Sequence, residues 1–485
     1  MNPSYKNDSV QTATPLPPAL WKSYLAFLVP MIVSNMLQAL SGTVNNIYLG
    51  QMLGVGAMAS VSAFFPVLFF LIAFMIGLGS GAAVLIGQAW GANEHERVRA
   101  IAGTTLMVGL SAGAVVAVFG GAFTEPMLRL LGTPADILPG STAYARVMLI
   151  AAPAIFIFLL LTSMLRGVGD TKTPLYILLI STALSMLLTP ALIRGWLGLP
   201  QMGVTSGAYA AGASFLIAMS WAVWYLRRAT NPAQGAAKHA GNSAAFLIPQ
   251  PHDKHPLAPD ASFLKHLRID KVILGKVLKI GLPTGLSMIT ISLAEIAVLF
   301  LVNRYGSQAT AAYGAVNQIV NYVQFPAISI AIAASILGAQ AIGAGRGHTL
   351  GNIAKTGIML NLVLTGSLVV IGLIFSRSII GLFITDPAVV DMAKTLLDIM
   401  LWSSVIMGMS MVLSGLMRAS GEVVMPTVIT MFCILCIEIP TAWALSGTYG
   451  INGIWVAYPI TFLAMLALQT TYYRLVWRKK PVKRL

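Results

Sequence analysis

The sequence predicts an all-α membrane protein of about twelve transmembrane helices, arranged as two pseudo-symmetric six-helix lobes around a central cleft. Three observations support this fold class. Of the 485 residues, 57% are apolar and only 9% are charged, whereas soluble domains carry about 25% charged residues. Many apolar runs reach the ~20 residues that cross a bilayer, and the second half of the chain repeats the first. The predicted spans lie near 24–49, 57–89, 99–123, 143–167, 173–196, 203–227, 279–303, 310–341, 356–376, 392–418, 423–445 and 450–475.

The breaks between apolar runs divide the chain into five parts. Residues 228–278 interrupt the series of spans: Asn231–Ser262 has a flexible-linker composition, and Phe263–Lys279 has the pattern of an interfacial amphipathic helix. The first residues are polar and rich in proline, which indicates a disordered tail rather than a cleaved signal peptide. We therefore expect a disordered cytoplasmic tail (1–21), an N-lobe with spans 1–6 (22–227), a cytoplasmic linker with an amphipathic helix (228–278), a C-lobe with spans 7–12 (279–475) and a basic cytoplasmic tail (476–485).

The basic residues predict the orientation in the membrane. If both ends of the chain are cytoplasmic, 24 of the 30 Lys and Arg residues fall inside, as cytoplasmic loops require. The six outside residues are Arg129, Arg146, Arg194, Arg304, Arg377 and Lys394. The net charge of +15 is thus explained by topology and by contact with anionic lipids, and it does not indicate a nucleic-acid site.

The internal repeat has an offset of 252 residues. It superimposes Gly54 on Gly306, Gln88 on Gln340, Gly91 on Gly343, Arg166 on Arg418, Gly169 on Gly421 and Pro174 on Pro426. Because each half holds an even number of spans, both halves insert in the same direction, and an axis along the membrane normal should relate them. Such an arrangement is typical of transporters, with a cleft between the two lobes.

The repeated motifs resemble those of the multidrug and toxic compound extrusion (MATE) family, in particular its bacterial NorM- and DinF-like members. They are a proline near the start of spans 1 and 7 (Pro30 and Pro283), a Gly-Gln-x-x-Gly-Ala element at Gly87–Ala92, and a Leu-Arg-Gly-x-Gly-Asp-x-x-x-Pro element at Leu165–Pro174. The resemblance covers about residues 22–475 except the linker. It implies a monomeric exporter of small, often cationic and amphipathic compounds in the bacterial inner membrane, driven by inward H⁺ or Na⁺ and without any other cofactor.

One position departs from the family pattern. Span 1 of the family usually reads Val-Asp-x-x-x-x-Gly, with an aspartate implicated in cation coupling, whereas this chain has Val44–Gly50 with Asn45 in that place. An amide does not take up protons in the physiological range, which puts a proton-coupling role of the N-lobe in doubt. The NorM branch has an acidic residue in span 7, and Glu295 lies in that span, about one turn from the usual position.

Two acidic residues lie deep in the predicted spans: Glu295 and Glu438. Because an ionisable group at the bilayer centre costs several kcal/mol, such residues are usually functional. Glu438 also precedes Pro440, whose missing N–H leaves a helix carbonyl free for a cation or water. We therefore expect both to take part in ion coupling, with a purely structural carboxylate as the alternative.

Polar residues on spans 1, 7 and 8 should point away from lipid. They either line the path of substrate and ion or bond neighbouring helices to each other. The expected lining comprises Asn35, Gln38, Asn46, Thr284, Ser292, Asn317, Gln318, Asn321 and Tyr313. In the loops after spans 4 and 10, we expect Asp170 and Glu422 to pair with Arg166 and Arg418.

Three alternative functions remain. A flippase of lipid-linked saccharides would need a basic cavity, and the spans are nearly free of basic residues. A dedicated metabolite or siderophore exporter of the same superfamily would share every feature above. A membrane enzyme would need clustered His, Asp or Glu ligands, but the six histidines are scattered in loops. We expect neither enzymatic activity nor a bound metal, and we interpret Cys433 and Cys436 as apolar filling.

Overall fold

The computed structural model describes residues 20–228, 255–382, 384, 386–482 and 484–485, and the regular structure of these residues is entirely helical. Ten helices are long and apolar enough to cross a membrane, and two bent helix pairs raise the number to twelve. The spans are Leu20–Leu53, Val55–Gly91, His95–Leu130, Leu138–Gly167, Lys172–Arg194, Ser206–Arg228, Lys271–Asn303, Ser307–Gly343, Leu350–Ile374, Pro387–Ala419, Val424–Tyr449 and Ile451–Leu475. The predicted fold class is therefore confirmed.

Spans 4 and 10 are the two bent pairs. Span 4 turns by 53° between Leu138–Ile150 and Ala152–Gly167, and span 10 turns by 40° between Pro387–Met400 and Ser403–Ala419. In span 4 the second helix has Pro153 in its first turn, where a missing N–H costs no helical hydrogen bond. The bends are at equivalent places in the two lobes, so the break belongs to the repeated design.

The second half of the linker differs from the amphipathic helix that the pattern over Phe263–Lys279 indicates. A short helix, Ala261–Lys265, ends before His266, and a new helix begins at Lys271 and runs on as span 7. Asp270 caps this helix by accepting hydrogen bonds from the backbone N–H groups of Val272 and Ile273, which is the usual way to start a helix. The basic residues after Lys271 thus lie on the first turns of a membrane span. The predicted flexible part of the linker and the tail before span 1 lie mostly outside the described residues.

The structure repeats as the sequence does. Span 2 shifted by 252 residues has the bounds of span 8. The turns before these spans are made by Gly54 and Gly306 with φ of 86° and 95°, and those after spans 4 and 10 by Gly169 and Gly421 with φ of 96° and 83°. Only glycine adopts such positive φ values at little cost, which explains why the repeat preserves glycine there.

The lobes meet along the half of the molecule that carries the linker and the segment after span 12, which we call the linker side. Here span 2 packs against spans 7 and 8. A Cβ on Gly77 would lie 2.8 Å from the backbone nitrogen of Gly285, and one on Gly91 would lie 2.8 Å from the carbonyl carbon of Gln340. Small residues allow helix backbones in membranes to approach this closely, and the glycines therefore form the contact between the lobes.

The buried core confirms which side is closed. One cluster of buried side chains runs continuously through the N-lobe and into the linker-side half of the C-lobe, and includes Leu78 and Ile86 of span 2 with Val277 of span 7 and Leu337 of span 8. A second cluster, built around Val316 and Leu397, lies within the C-lobe. Away from the linker side, Gly42 of span 1 and Gly314 of span 8 face open space. The buried contacts that join the two lobes in the described residues therefore lie on the linker side.

Candidate functional site

Glu438 ends a stretch of π-helix in the middle of span 11. The π-helix covers Cys433–Glu438 and is followed by Pro440 in the first turn of the next helix. π-Helical turns expose backbone groups and occur often at functional sites. The side chain of Glu438 is only 5% exposed, so the C-lobe holds a buried carboxylate beside backbone that is not in regular α-helical register.

Aromatic and polar side chains of spans 8 and 12 form a cluster within electrostatic range of this carboxylate. The hydroxyls of Tyr313 and Tyr458 are 3.0 Å apart and share a hydrogen bond, and the Tyr313 ring stacks on Trp455 at 5.6 Å with an angle of 6° between the rings. Asn317 lies beside the Tyr313 hydroxyl, and both tyrosines lie within electrostatic range of Glu438. The indole N–H of the buried Trp455 has no hydrogen-bond partner among the described residues.

Glu295 completes this C-lobe cluster from span 7. Its carboxylate lies within electrostatic range of Glu438, Tyr313 and Tyr458. Unlike Glu438, it is exposed at the surface of the helices. The C-lobe thus pairs one accessible and one buried carboxylate, and the predicted residues Glu295, Glu438, Tyr313 and Asn317 come together in space.

Asn45 lies in the other lobe, where its side-chain amide contacts uncharged residues of spans 5 and 6. Its carbonyl oxygen accepts a hydrogen bond of 3.4 Å from the hydroxyl of Thr189 in span 5. A Cβ on Gly207 of span 6 would touch the same amide at 3.3 Å. The neighbouring hydroxyl of Ser206 is buried and has no partner among the described residues. The N-lobe therefore offers neutral hydrogen-bonding groups where the C-lobe offers carboxylates.

The repeat makes this difference between the lobes explicit. At the 252-residue offset, Glu438 corresponds to Met186 and Tyr313 to Val61. The π-helix of span 11 has no counterpart in span 5, which is a continuous α-helix over Lys172–Arg194. The buried carboxylate of span 11 and the π-helix beside it are therefore features of the C-lobe that span 5 does not repeat.

The other predicted lining residues occupy different environments. The amide of Asn35 donates to the hydroxyl of Ser329 at 3.0 Å and joins span 1 to span 8 across the lobe interface. Thr284 is buried and donates to the Ile280 carbonyl of its own helix at 3.0 Å, so its hydroxyl bonds neither a neighbouring helix nor the cleft. Exposed or half-buried positions are held by Gln38, Asn46, Asn321, Ser292 and Gln318.

The repeated glutamines bond the two lobes to each other, a role that the sequence motifs alone did not predict. Gln88 donates to the Ala419 carbonyl of the opposite lobe at 2.8 Å, and Gln340 donates to the Gly167 carbonyl at 3.1 Å. Each glutamine of one motif therefore binds the backbone just before the glycine turn of the other motif, in the other lobe. The duplication of both motifs was the available signal, because residues repeated in pairs on a shared interface can bond reciprocally.

The expected partners of the two loop carboxylates were wrong. Asp170 lies 3.5 Å from the imidazole Nε2 of His255 in the linker and caps span 5 by accepting from the backbone N–H of Thr173 at 3.0 Å. Glu422 pairs with Lys480 at 2.8 Å. Burial alone would raise the pKa of Asp170, but the nearby His255 imidazole and the hydrogen bond from Thr173 outweigh burial and hold the pKa below its ordinary value. Asp170 thus contacts the linker and Glu422 contacts the segment after span 12, instead of the arginines near them in the sequence.

The family model named MatE matches residues 30–191 and 283–444, one copy in each lobe. The chain belongs to the MatE family. This MATE transporter is 42% identical over 470 residues to the "Probable multidrug resistance protein YoeA" of Bacillus subtilis (strain 168), with 96% of each chain covered. It is 23% identical over 463 residues to the "Multidrug export protein MepA" of Staphylococcus aureus (strain N315), with 94% of each covered.

Solved structures share the fold. A multidrug resistance MATE family transporter in an outward-facing conformation aligns with a TM-score of 0.81 and 21% identity over 95% of this chain and 96% of the other. A MOP superfamily transporter from Pyrococcus furiosus aligns with a TM-score of 0.80 and 20% identity over 95% and 96% of the two chains. The two-lobe architecture of this MATE transporter is therefore that of its relatives, and the protein is a transporter rather than an enzyme.

Proposed function

We propose that this MATE transporter is a secondary active exporter, which moves small, often cationic and amphipathic organic molecules out of the cell against inward H⁺ or Na⁺. The observation that carries the proposal is the pair of interacting carboxylates in the C-lobe, one buried at Glu438 and one accessible at Glu295. Two carboxylates within electrostatic range of each other repel when both are charged, which favours the binding of a proton or Na⁺ at one of them. The curated relatives named multidrug resistance and multidrug export proteins support the substrate class.

Alternating access follows from the two lobes. In the described arrangement the lobes touch on the linker side and part on the other. We propose that the linker side is cytoplasmic, as the distribution of basic residues predicts, and that this arrangement faces the outside of the inner membrane. Ion binding and substrate binding each shift the equilibrium only if their affinities differ between the two arrangements. One charge that crosses ~100 mV contributes about 2.3 kcal/mol, which supports roughly a fifty-fold gradient of a neutral solute.

The polar residues of spans 1 and 8 fit a path between the lobes. Gln38, Asn46 and Asn321 are exposed, and amides on membrane helices avoid lipid. We assign them to the cleft wall, where they meet substrate or water. Asn45 belongs to the N-lobe part of this path, as a neutral hydrogen-bonding group that does not exchange protons.

Transport by purified protein in liposomes tests the proposal. A fluorescent organic cation is followed under a pH gradient and, separately, under a Na⁺ gradient. We expect one of the gradients to drive transport by the wild type and neither to drive it in Glu438→Gln or Glu295→Gln. Asp398→Asn is the matched control, because Asp398 is a C-lobe carboxylate already paired with Lys394 at 2.6 Å. Gradient-driven transport that persists in both glutamine variants would refute the assignment of coupling to this pair.

A further inference from the structure

The residues after span 12 connect the two lobes on the linker side. This segment, Trp477–Leu485, is described except for Lys483. It begins on the C-lobe, where the indole N–H of Trp477 donates to the Ser420 hydroxyl at 2.8 Å and the ring stacks on Tyr473 at 5.1 Å. Lys480 then pairs with Glu422 at 2.8 Å. Both contacts lie on the loop between spans 10 and 11, so the first half of the segment is fixed to its own lobe.

The second half of the segment binds the N-lobe. The backbone N–H of Leu485 donates to the side-chain carbonyl of Gln88 at 2.8 Å. Arg97 donates to the Leu485 carbonyl, and Arg484 forms an ion pair with Glu94. Gln88, Glu94 and Arg97 all belong to the end of span 2 and the start of span 3. The segment therefore reaches from one lobe to the other.

These contacts lie at the interface between the lobes on the linker side, which must open if the lobes are to separate there. Gln88 is 2% exposed and uses both ends of its amide, since it accepts from Leu485 while it donates to Ala419 across the interface. The Leu485 side chain packs over Gly421, where it lies 2.8 Å from the place a Cβ would take. A positive φ of 83° at Gly421 already disfavours any other residue there. Separation of the lobes on this side breaks the bonds to Gln88, Arg97 and Glu94 together.

We propose that residues 477–485 act as a strap that holds the linker side of the transporter closed. The strap adds a buried hydrogen bond and two charge-assisted contacts to the reciprocal glutamine bonds. These contacts exist only while the lobes touch, so they stabilise this arrangement and not one open on the linker side. Buried hydrogen bonds and surface ion pairs of this kind together shift such an equilibrium about tenfold. Only the functional consequence of the strap rests on the alternating access proposed above.

Distance measurements between spin labels test the strap without any transport assay. The labels are placed at Lys172→Cys and Val424→Cys, which are exposed, equivalent positions of the two lobes on the linker side, in a background that carries Cys433→Ala and Cys436→Ala. The test variant is Arg484→Glu, which turns the ion pair with Glu94 into a repulsion. Its matched control is Lys479→Glu, because this change has the same effect on net charge and Lys479 lies on the same segment before it crosses to the N-lobe.

We expect Arg484→Glu to increase the population with a long distance between the labels about tenfold, and Lys479→Glu to leave it unchanged. Equal shifts in the two variants would assign the effect to net charge and overturn the strap, as would no shift in either. If Arg484→Glu cannot be purified, a chain that ends at Pro481 serves in its place and should show the same shift. Liposomes with the same proteins report transport separately: a shifted distance without any gradient-driven dye movement would leave the strap standing and remove the proposed antiport.

Discussion

Adding one methyl group to the lobe contact should open the linker side. Gly91 ends span 2 against span 8, and a Cβ there would lie 2.8 Å from the carbonyl carbon of Gln340 and overlap its oxygen. The neighbouring atoms are backbone, which cannot rotate away as a side chain would. Overpacking of this kind costs about 1–3 kcal/mol, and the cost falls only on the arrangement in which the lobes touch. Gly91→Ala should therefore favour the open linker side by roughly five- to 150-fold.

The same pair of spin labels, at Lys172→Cys and Val424→Cys, measures this shift. A state open on the linker side that is populated at about 1% would rise to about 5–60% at that range of penalties. Gly275→Ala is the matched control, since Gly275 lies on span 7 of the linker side and has nothing within 4 Å of its added Cβ. Equal label distances in Gly91→Ala and Gly275→Ala would refute the reasoning that backbone contact at Gly91 holds the lobes together.

The remaining predictions concern the linker, the N-lobe and the C-lobe. Because the pKa of Asp170 is held below its ordinary value, its contribution to stability is present at neutral pH and is lost as pH falls through that lowered pKa. Asp170→Asn should therefore lower the melting temperature near pH 7, and this difference should shrink in acid below about pH 4; a difference that does not change with pH would contradict the assignment. Asn45→Asp places a carboxylate beside Thr189 and should add a titration to the pH profile of dye transport, whereas an identical profile would show that the N-lobe site is not on the path. Tyr313→Phe removes the hydroxyl that bonds to Tyr458 and should weaken ion-driven transport several-fold at unchanged expression. Tyr322→Phe, on the same helix, is its control. Equal transport rates in the two variants would count against a role of the C-lobe cluster in transport.

The fold could be predicted from the sequence because the apolar runs and the internal repeat indicate the same arrangement of spans. Apolar runs of about 20 residues have one common outcome in a bilayer, and the 252-residue repeat fixed six spans in each half. Buried carboxylates are so costly in a membrane that Glu295 and Glu438 stood out from composition alone. The structure brings these two together with Tyr313 and Asn317, as a shared site requires.

Contacts between distant segments were harder to predict. Nothing near Asp170 in the sequence points to His255 as its partner, because His255 lies 85 residues later, in the linker. Arg166 is the basic residue nearer to Asp170 in the sequence. Trp455 and Tyr458 looked like ordinary residues of an apolar span, since stacking on Tyr313 depends on how span 12 is rotated against span 8. The helix break at His266–Asp270 was hidden by a basic and apolar pattern that continues across it, and the Asp270 cap was the local signal that marked the new helix.

Exchange of a cation for substrate can be tested by adding substrate alone and measuring whether H⁺ or Na⁺ moves in the opposite direction. Liposomes that contain the protein are loaded with a pH indicator or a Na⁺ indicator at equal ion concentrations on both sides, and an organic cation is then added to one side. We expect a flow of H⁺ or Na⁺ opposite to the substrate in the wild type and in Asp398→Asn, and no such flow in Glu438→Gln. Substrate that crosses the membrane without any movement of either ion would contradict coupled antiport by this transporter.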